Sequence, residues 1–281
     1  MTDKGPRERP RFPPPLASSR RDPEPRPSDP SPARGEPLDG AVLGAGVPEA
    51  PTGGWHTATV SGGRRPSKRS VDLRLDVHER MDHLPGQHYV VRLTAEDGYT
   101  AQRSYSVASA PGDPLVELFI ERLDDGEVST FLADVVEPGD ELEVRGPIGG
   151  WFVWNGDTPA LLVAGGYGVV PFLAMLRHAR ATGRTDLLRI VVSSRTLAEL
   201  PYGGELAEAG ALIVTTREPH GDRPAGRLTA GELVPQWEPG RTAYVCGSAS
   251  FAESASRTLV DLGVPPADIR VERFGPSGAA A

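Results

Sequence analysis

The stretch Leu161–Pro171, LLVAGGYGVVP, constrains this chain more than any other. A continuous apolar run of strand length passes directly into a glycine-rich turn and then into a helical pattern. Such a strand is buried on both faces, which belongs to a parallel sheet covered by helices. After Pro159 the alternation continues. Ala160–Ala164, Leu187–Ser193, Ala211–Thr216, Thr242–Cys246 and Ile269–Phe274 read as strands. Val169–Thr182, Glu205–Ala209, Gly231–Val234 and Phe251–Leu262 read as helical segments. In such sheets ligands bind beyond the carboxyl ends of the strands. The informative residues then fall at Gly165–Gly168, Ser194-Arg195, Arg217 and Cys246-Gly247.

Between Trp55 and Val153 the period is different. Val71–Val77 (VDLRLDV) alternates apolar and polar, and His88–Leu93, Ser104–Ala108, Leu115–Leu123 and Glu141–Arg145 follow, broken by Pro85-Gly86, Asp97-Gly98 and Pro111-Gly112-Asp113. Ser129–Val136 reads as one short helix with Ser129 as its N-cap. Many short strands and one helix predict a small antiparallel β-barrel. The expected layout is a Pro-rich disordered tail over 1–54, a barrel domain over 55–156 and an α/β domain over 157–281. The tail follows from composition: nearly half of the 29 prolines precede Thr52 and Phe12 is its sole aromatic.

Composition excludes several classes. Net charge is −8 with no basic cluster, against a nucleic-acid protein. The longest apolar runs are strand-length, so no membrane span is expected. The single cysteine, Cys246, rules out an internal disulfide or a Cys-ligated cluster and fits a cytoplasmic setting. His56, His78, His83, His88, His178 and His220 lack metal-ligand spacing, so no metal site is expected.

Three runs carry chemistry. In Arg103-Ser104-Tyr105-Ser106 a guanidinium suits a pyrophosphate, a flat ring suits an isoalloxazine, and the Ser106 hydroxyl suits the flavin N5 edge. Alone, the run is equally compatible with an ordinary edge strand. Gly126-Glu127-Val128-Ser129 leads into a helix start that attracts anions, although capping alone accounts for Ser129. In Gly165-Gly166-Tyr167-Gly168-Val169-Val170-Pro171 the glycines admit a pyrophosphate and Pro171 fits the first helical turn. This is not the GxGxxG fingerprint of the ordinary dehydrogenases.

With these residues in order, roughly Trp55 to Gly278 resembles the ferredoxin–NADP reductase superfamily of two-domain flavin reductases. The resemblance implies that Arg103 binds the FAD diphosphate, Tyr105 lies against the ring and Ser106 sits near N5. It implies a second phosphate contact at Gly126, Val128 and Ser129. Gly146–Gly149 with Phe152 is similar to the segment that closes the family's barrel. Gly165, Gly166, Gly168 and Pro171 match the nicotinamide pyrophosphate turn. Cys246-Gly247 is similar to the pair beside the nicotinamide, and Glu272 and Phe274 to the family's C-terminal acid and flavin-covering aromatic. Ser106, Cys246 and Glu272 are thus the expected catalytic group. Arg195 and Arg217 correspond to the arginines that bind the 2′-phosphate, which favours NADPH over NADH. Tyr167 departs from the family's Thr or Ser, so its ring either crowds the pyrophosphate or fills the empty cleft. The expected activity is hydride transfer from NAD(P)H to FAD, with electrons passed to a separate acceptor such as a ferredoxin or haem protein. The alternatives are a non-catalytic flavoprotein relay within a larger complex and an interaction module recruiting through its Pro-rich tail.

Overall fold

The computed structural model describes residues 54–274. The expected tail over 1–54 lies outside the described residues except for Gly54, as do Gly275 and Pro276 of the C-terminal segment.

Six antiparallel strands form the first sheet: β1 (His56–Ser67), β2 (Ser70–Val77), β3 (His88–Thr94), β4 (Thr100–Ser106), β5 (Val116–Glu121) and β6 (Glu141–Ile148). Their order is β4-β3-β6-β1-β2-β5. The two outer strands meet just past β4, where Val107 bridges Leu118 and the Ala108 N–H donates to the Glu117 carbonyl at 2.8 Å. That closure makes the sheet a barrel. Its core holds Leu73, Leu75, Tyr89, Val91, Leu118, Ile120 and Val144, with Phe131 and Leu132 from helix α1 (Glu127–Asp134).

Strand β1 is the element that the sequence pattern does not reveal. Its middle, Gly62-Gly63-Arg64-Arg65-Pro66, breaks the apolar alternation, and register shifts at Val60/Gly62 and Arg64/Ser67 accommodate it against β2. Strand β4 also begins earlier than expected, at Thr100.

Helix α1 corrects the expected span. It starts at Glu127, and Gly126 occupies the N-cap without a side-chain cap. Ser129 therefore lies in the first turn. Its hydroxyl donates to the Gly126 carbonyl at 3.2 Å and accepts the Leu123 N–H at 3.1 Å, closing the preceding turn on itself. Gly126 packs so closely on this hydroxyl that a Cβ has no room.

The second sheet is parallel, ordered β11-β10-β7-β8-β9: β7 (Ala160–Gly165), β8 (Leu188–Ser194), β9 (Leu212–Thr215), β10 (Thr242–Ser248) and β11 (Ile269–Phe274). Helix α2 (Val170–Thr182) and the short α3 (Gly203–Glu208) pack with Leu162, Val192 and Tyr244 on one face. The short α4 (Ala230–Leu233) and α5 (Ala249–Asp261) pack with Leu161, Val163 and Val245 on the other. Neighbouring residues of β7 thus serve opposite cores, which is why its sequence is apolar throughout. Among the described residues no helix is long and apolar enough to cross a membrane.

The two sheets meet through β2 and β5. Val116, Leu118 and Ile120 face the barrel core, so Glu117 and Phe119 point the other way, and both are buried by the second sheet. The alternation of β2 is likewise filled in at Asp72, which is 1% exposed.

Candidate functional site

Strand β4 places the Arg103–Ser106 run at the barrel edge, paired to β3 on one side only. Burial rises along the strand. Arg103 and Ser104 are exposed, Tyr105 is half-buried and Ser106 is 5% exposed. The Arg103 guanidinium donates to the neighbouring Gln102 carbonyl at 2.8 Å and otherwise faces solvent. Tyr105 stands opposite Tyr89 and packs against the barrel core. Its hydroxyl is buried with no hydrogen-bond partner among the described residues, and burial pushes the phenol's pKa up. A buried orphan hydroxyl is costly, and a ligand laid on this edge would supply the missing partner.

Ser106 stands opposite His88, which in turn pairs with Ile148. None of the six histidines is expected at the site from the sequence. Desolvation lowers the pKa of His88, favouring the neutral imidazole. The one signal in the sequence is its place directly after the Pro85-Gly86-Gln87 turn, whose far end meets Ser106 only through strand pairing.

The glycine turn behaves as its composition demands. Gly165 ends β7, Gly166–Val169 forms a 3-10 turn and Pro171 sits in the first turn of α2. Gly168 lies directly against the Cys246 carbonyl and leaves no space for a Cβ. At Gly165 a Cβ would lie 2.5 Å from the Phe251 ring, and at Gly247 one would lie 2.8 Å from it. Phe251, from the first turn of α5, therefore roofs both glycines, a role its sequence position does not announce. Gly166, at φ 55°, faces open space.

The ring of Tyr167 turns toward the barrel, 5.4 Å from Phe119 of β5 and inclined by 31°. It is half-buried, and burial raises its pKa, with Glu121 and Glu199 adding to the shift.

Cys246 and Glu272 are register partners on β10 and β11. Cys246 is fully buried, and desolvation, with the nearby Glu272, holds its thiol protonated. Burial pushes the Glu272 carboxyl up to about 7, and its Oε2 is buried with no partner among the described residues. Gly247 follows Cys246, and Phe274, half-buried, ends β11 against the α2-side core.

Arg195 and Arg217 follow β8 and β9. The Arg217 N–H donates to the Arg195 carbonyl at 2.9 Å, carrying the parallel pairing past the strand ends and setting the two residues side by side. Both are exposed, and Arg195 has Glu199 3.8 Å away.

An antiparallel barrel thus adjoins a parallel sheet with a glycine turn at the carboxyl end of its central strand. Residues 65–153 match the oxidoreductase FAD-binding domain family model. The chain is 31% identical over 206 residues to a flavohemoprotein of Pseudomonas aeruginosa, covering 69% of this chain and 52% of that one. It is 28% identical over 218 residues to the ferredoxin–NAD(P)+ reductase component of the naphthalene 1,2-dioxygenase/salicylate 5-hydroxylase systems of a Ralstonia species, covering 73% and 65%. Its fold superposes on the FAD/NAD-binding domain of a Vibrio cholerae nitric oxide dioxygenase with TM-score 0.70 at 24% identity, covering 79% and 99%. The chain has the fold of the ferredoxin–NADP reductases. It spans between half and two thirds of the length of the curated relatives named above.

Proposed function

We propose that the protein is an FAD-dependent oxidoreductase that takes a hydride from NAD(P)H and passes electrons to a separate protein acceptor, a ferredoxin or a haem protein. In this reading residues 55–156 form the FAD unit, residues 157–281 form the NAD(P) unit, and the protein works in the cytoplasm. The observation that carries the reading is that, of the six buried side-chain atoms left without a partner among the described residues, Tyr105 Oη and Glu272 Oε2 fall on the two expected site strands, one in each unit. Each polar atom is withdrawn from water without a protein partner, as expected of groups that complete their bonding on a ligand.

The residues fit an FAD. Arg103 is free to pair with the diphosphate, and the unpaired backbone amides of Val128 and Ser129, at the start of α1 beyond Gly126, are free to donate to it. With FAD bound, Tyr105 would lie against the ring, Ser106 would sit near N5, and Phe274 would cover the other face. Bound FAD supplies the two-electron to one-electron chemistry that side chains lack.

Gly166, which faces open space, lets backbone approach the nucleotide diphosphate, with Pro171 fixing the helix start, while Gly165, Gly168 and Gly247 let the turn pack closely on Phe251 and the Cys246 carbonyl behind it. Arg195 and Arg217 take the 2′-phosphate, which selects NADPH. Cys246, kept as a neutral thiol, shapes the nicotinamide pocket without reacting. Glu272 holds a proton near neutrality and donates a hydrogen bond there. No strong acid or base is required, because placement supplies most of the acceleration.

The test is direct. Purified protein loaded with FAD is mixed anaerobically with NADPH in a stopped-flow instrument. Bleaching of the flavin absorbance is the expected result, followed by reoxidation on adding a ferredoxin. Protein that binds no FAD would remove the reading, and bound flavin that NADPH leaves oxidised would favour the non-catalytic relay.

A further inference from the structure

We propose that Tyr202 and Arg177 are positioning residues for hydride transfer, locking the nucleotide sheet onto the flavin barrel in a single register. The inference rests on the proposed function and goes beyond it, because neither residue belongs to the flavin or nucleotide contacts described above.

Tyr202 precedes α3 on the nucleotide side. Its hydroxyl donates to Glu117 Oε1 at 2.9 Å and lies 3.1 Å from Asp72 Oδ1, two carboxylates on barrel strands β5 and β2. Both acids are nearly inaccessible, at 6% and 1% exposure. Tyr202 adopts φ 54°, a left-handed backbone that an aromatic side chain disfavours. The chain accepts that strain at the point where the ring is aimed across the interface. The same ring lies 5.8 Å from Phe119 and 5.2 Å from the Arg177 guanidinium.

Arg177 completes the crossing. It sits on α2, the helix that the glycine turn initiates. Its Nη1 donates to the Ala108 carbonyl at 2.9 Å and to Glu117 at 3.2 Å, while Nε and Nη2 hold Glu205 of α3 at 3.0 and 2.9 Å. Ala108 is two residues beyond Ser106. The helix beginning at the nucleotide turn is therefore bonded to the segment continuing from the flavin strand.

Stability alone does not account for this arrangement. A buried ionic network gains little over well-packed apolar side chains of the same volume. What it adds is selectivity. An apolar contact tolerates sliding, whereas these bonds are satisfied in one relative placement. Hydride transfer is sensitive to displacements of about 1 Å, so a fixed placement has a kinetic use.

The test uses the FAD-loaded full chain and Tyr202→Phe, which keeps the ring on Phe119 and removes the hydroxyl. FAD content and NADPH dissociation constant should stay at parental values, while the anaerobic hydride-transfer rate falls about tenfold or more. A second readout is independent of turnover. Hydrogen exchange of the FAD-free and FAD-loaded protein should rise across residues 106–113 and 203–208 and stay unchanged in β7 and β8. If Tyr202→Phe fails to fold, Arg177→Lys carries the same measurements, keeping the charge but losing the fork to Glu205. A parental transfer rate, or parental exchange in these segments, would overturn the proposal. Parental protein that NADPH does not reduce would instead overturn the functional reading, and this proposal with it.

Discussion

Cys246 and Glu272 are register partners across parallel strands β10 and β11, and burial disfavours the charged form of each. The carboxyl keeps its proton up to about pH 7 because burial penalises the anion. In the unfolded chain the same group ionises near its ordinary value of 4.5. Below that value both states are protonated and nothing is lost. Between there and neutrality the unfolded state releases its proton first, so the fold loses roughly 3 kcal/mol as pH rises. Glu272→Gln should flatten this dependence, leaving the variant more stable than its parent at about pH 8 and similar at about pH 4.5. Urea unfolding at the two pH values checks it.

Two neighbouring glycines should respond differently to one methyl group. Gly168→Ala drives a Cβ into the Cys246 carbonyl and to 2.7 Å from the Gly247 nitrogen, all of it backbone. It should cost about 3 kcal/mol or prevent folding. Gly166→Ala meets no atom within 4 Å and bears only the left-handed backbone penalty of about 1–2 kcal/mol. Thermal unfolding of the pair gives the comparison.

Arg195→Ala should weaken NADPH at least about tenfold while changing NADH little, since one charge-assisted contact to phosphate contributes about 1.5–3 kcal/mol. Arg217→Ala should act in the same direction. Both effects should shrink at high salt, because both side chains are exposed. Michaelis constants for the two nucleotides at low and high ionic strength test this, and equal losses for NADH and NADPH would refute the assignment.

Tyr167→Thr should destabilise the protein by about 2 kcal/mol, the loss of a half-buried ring and its contact with Phe119. With the ring turned to the barrel, the Michaelis constant for NADPH should not fall. A sharp drop would mean that the ring crowds the diphosphate instead. Melting temperature and steady-state kinetics on one preparation separate the two outcomes.

Much of this architecture is legible before any coordinates. The apolar run of β7 and the glycines after it predict a parallel strand and a tight turn, because few other uses of LLVAGG bury so much and turn so sharply. The alternation in VDLRLDV reveals β2 but not the burial of Asp72, since the pattern shows which face meets the barrel core and not what covers the other face. Ser129 looks like a cap because serine suits that position, but the local turn claims its hydroxyl first. His88, Phe251 and Tyr202 owe their places to strand pairing and to packing between sheets. Contacts between residues tens of positions apart leave no periodic trace in a single sequence.

The barrel order has a consequence in time. Strand β6 lies between β3 and β1, which touch it on either side and are not neighbours of each other. During synthesis the hairpins β1–β2 and β3–β4 can each form as they emerge, yet each waits for a strand made about fifty or more residues later. Loop closure over such separations slows assembly. Strand β4 is therefore among the early elements available and among the last to be fixed in place.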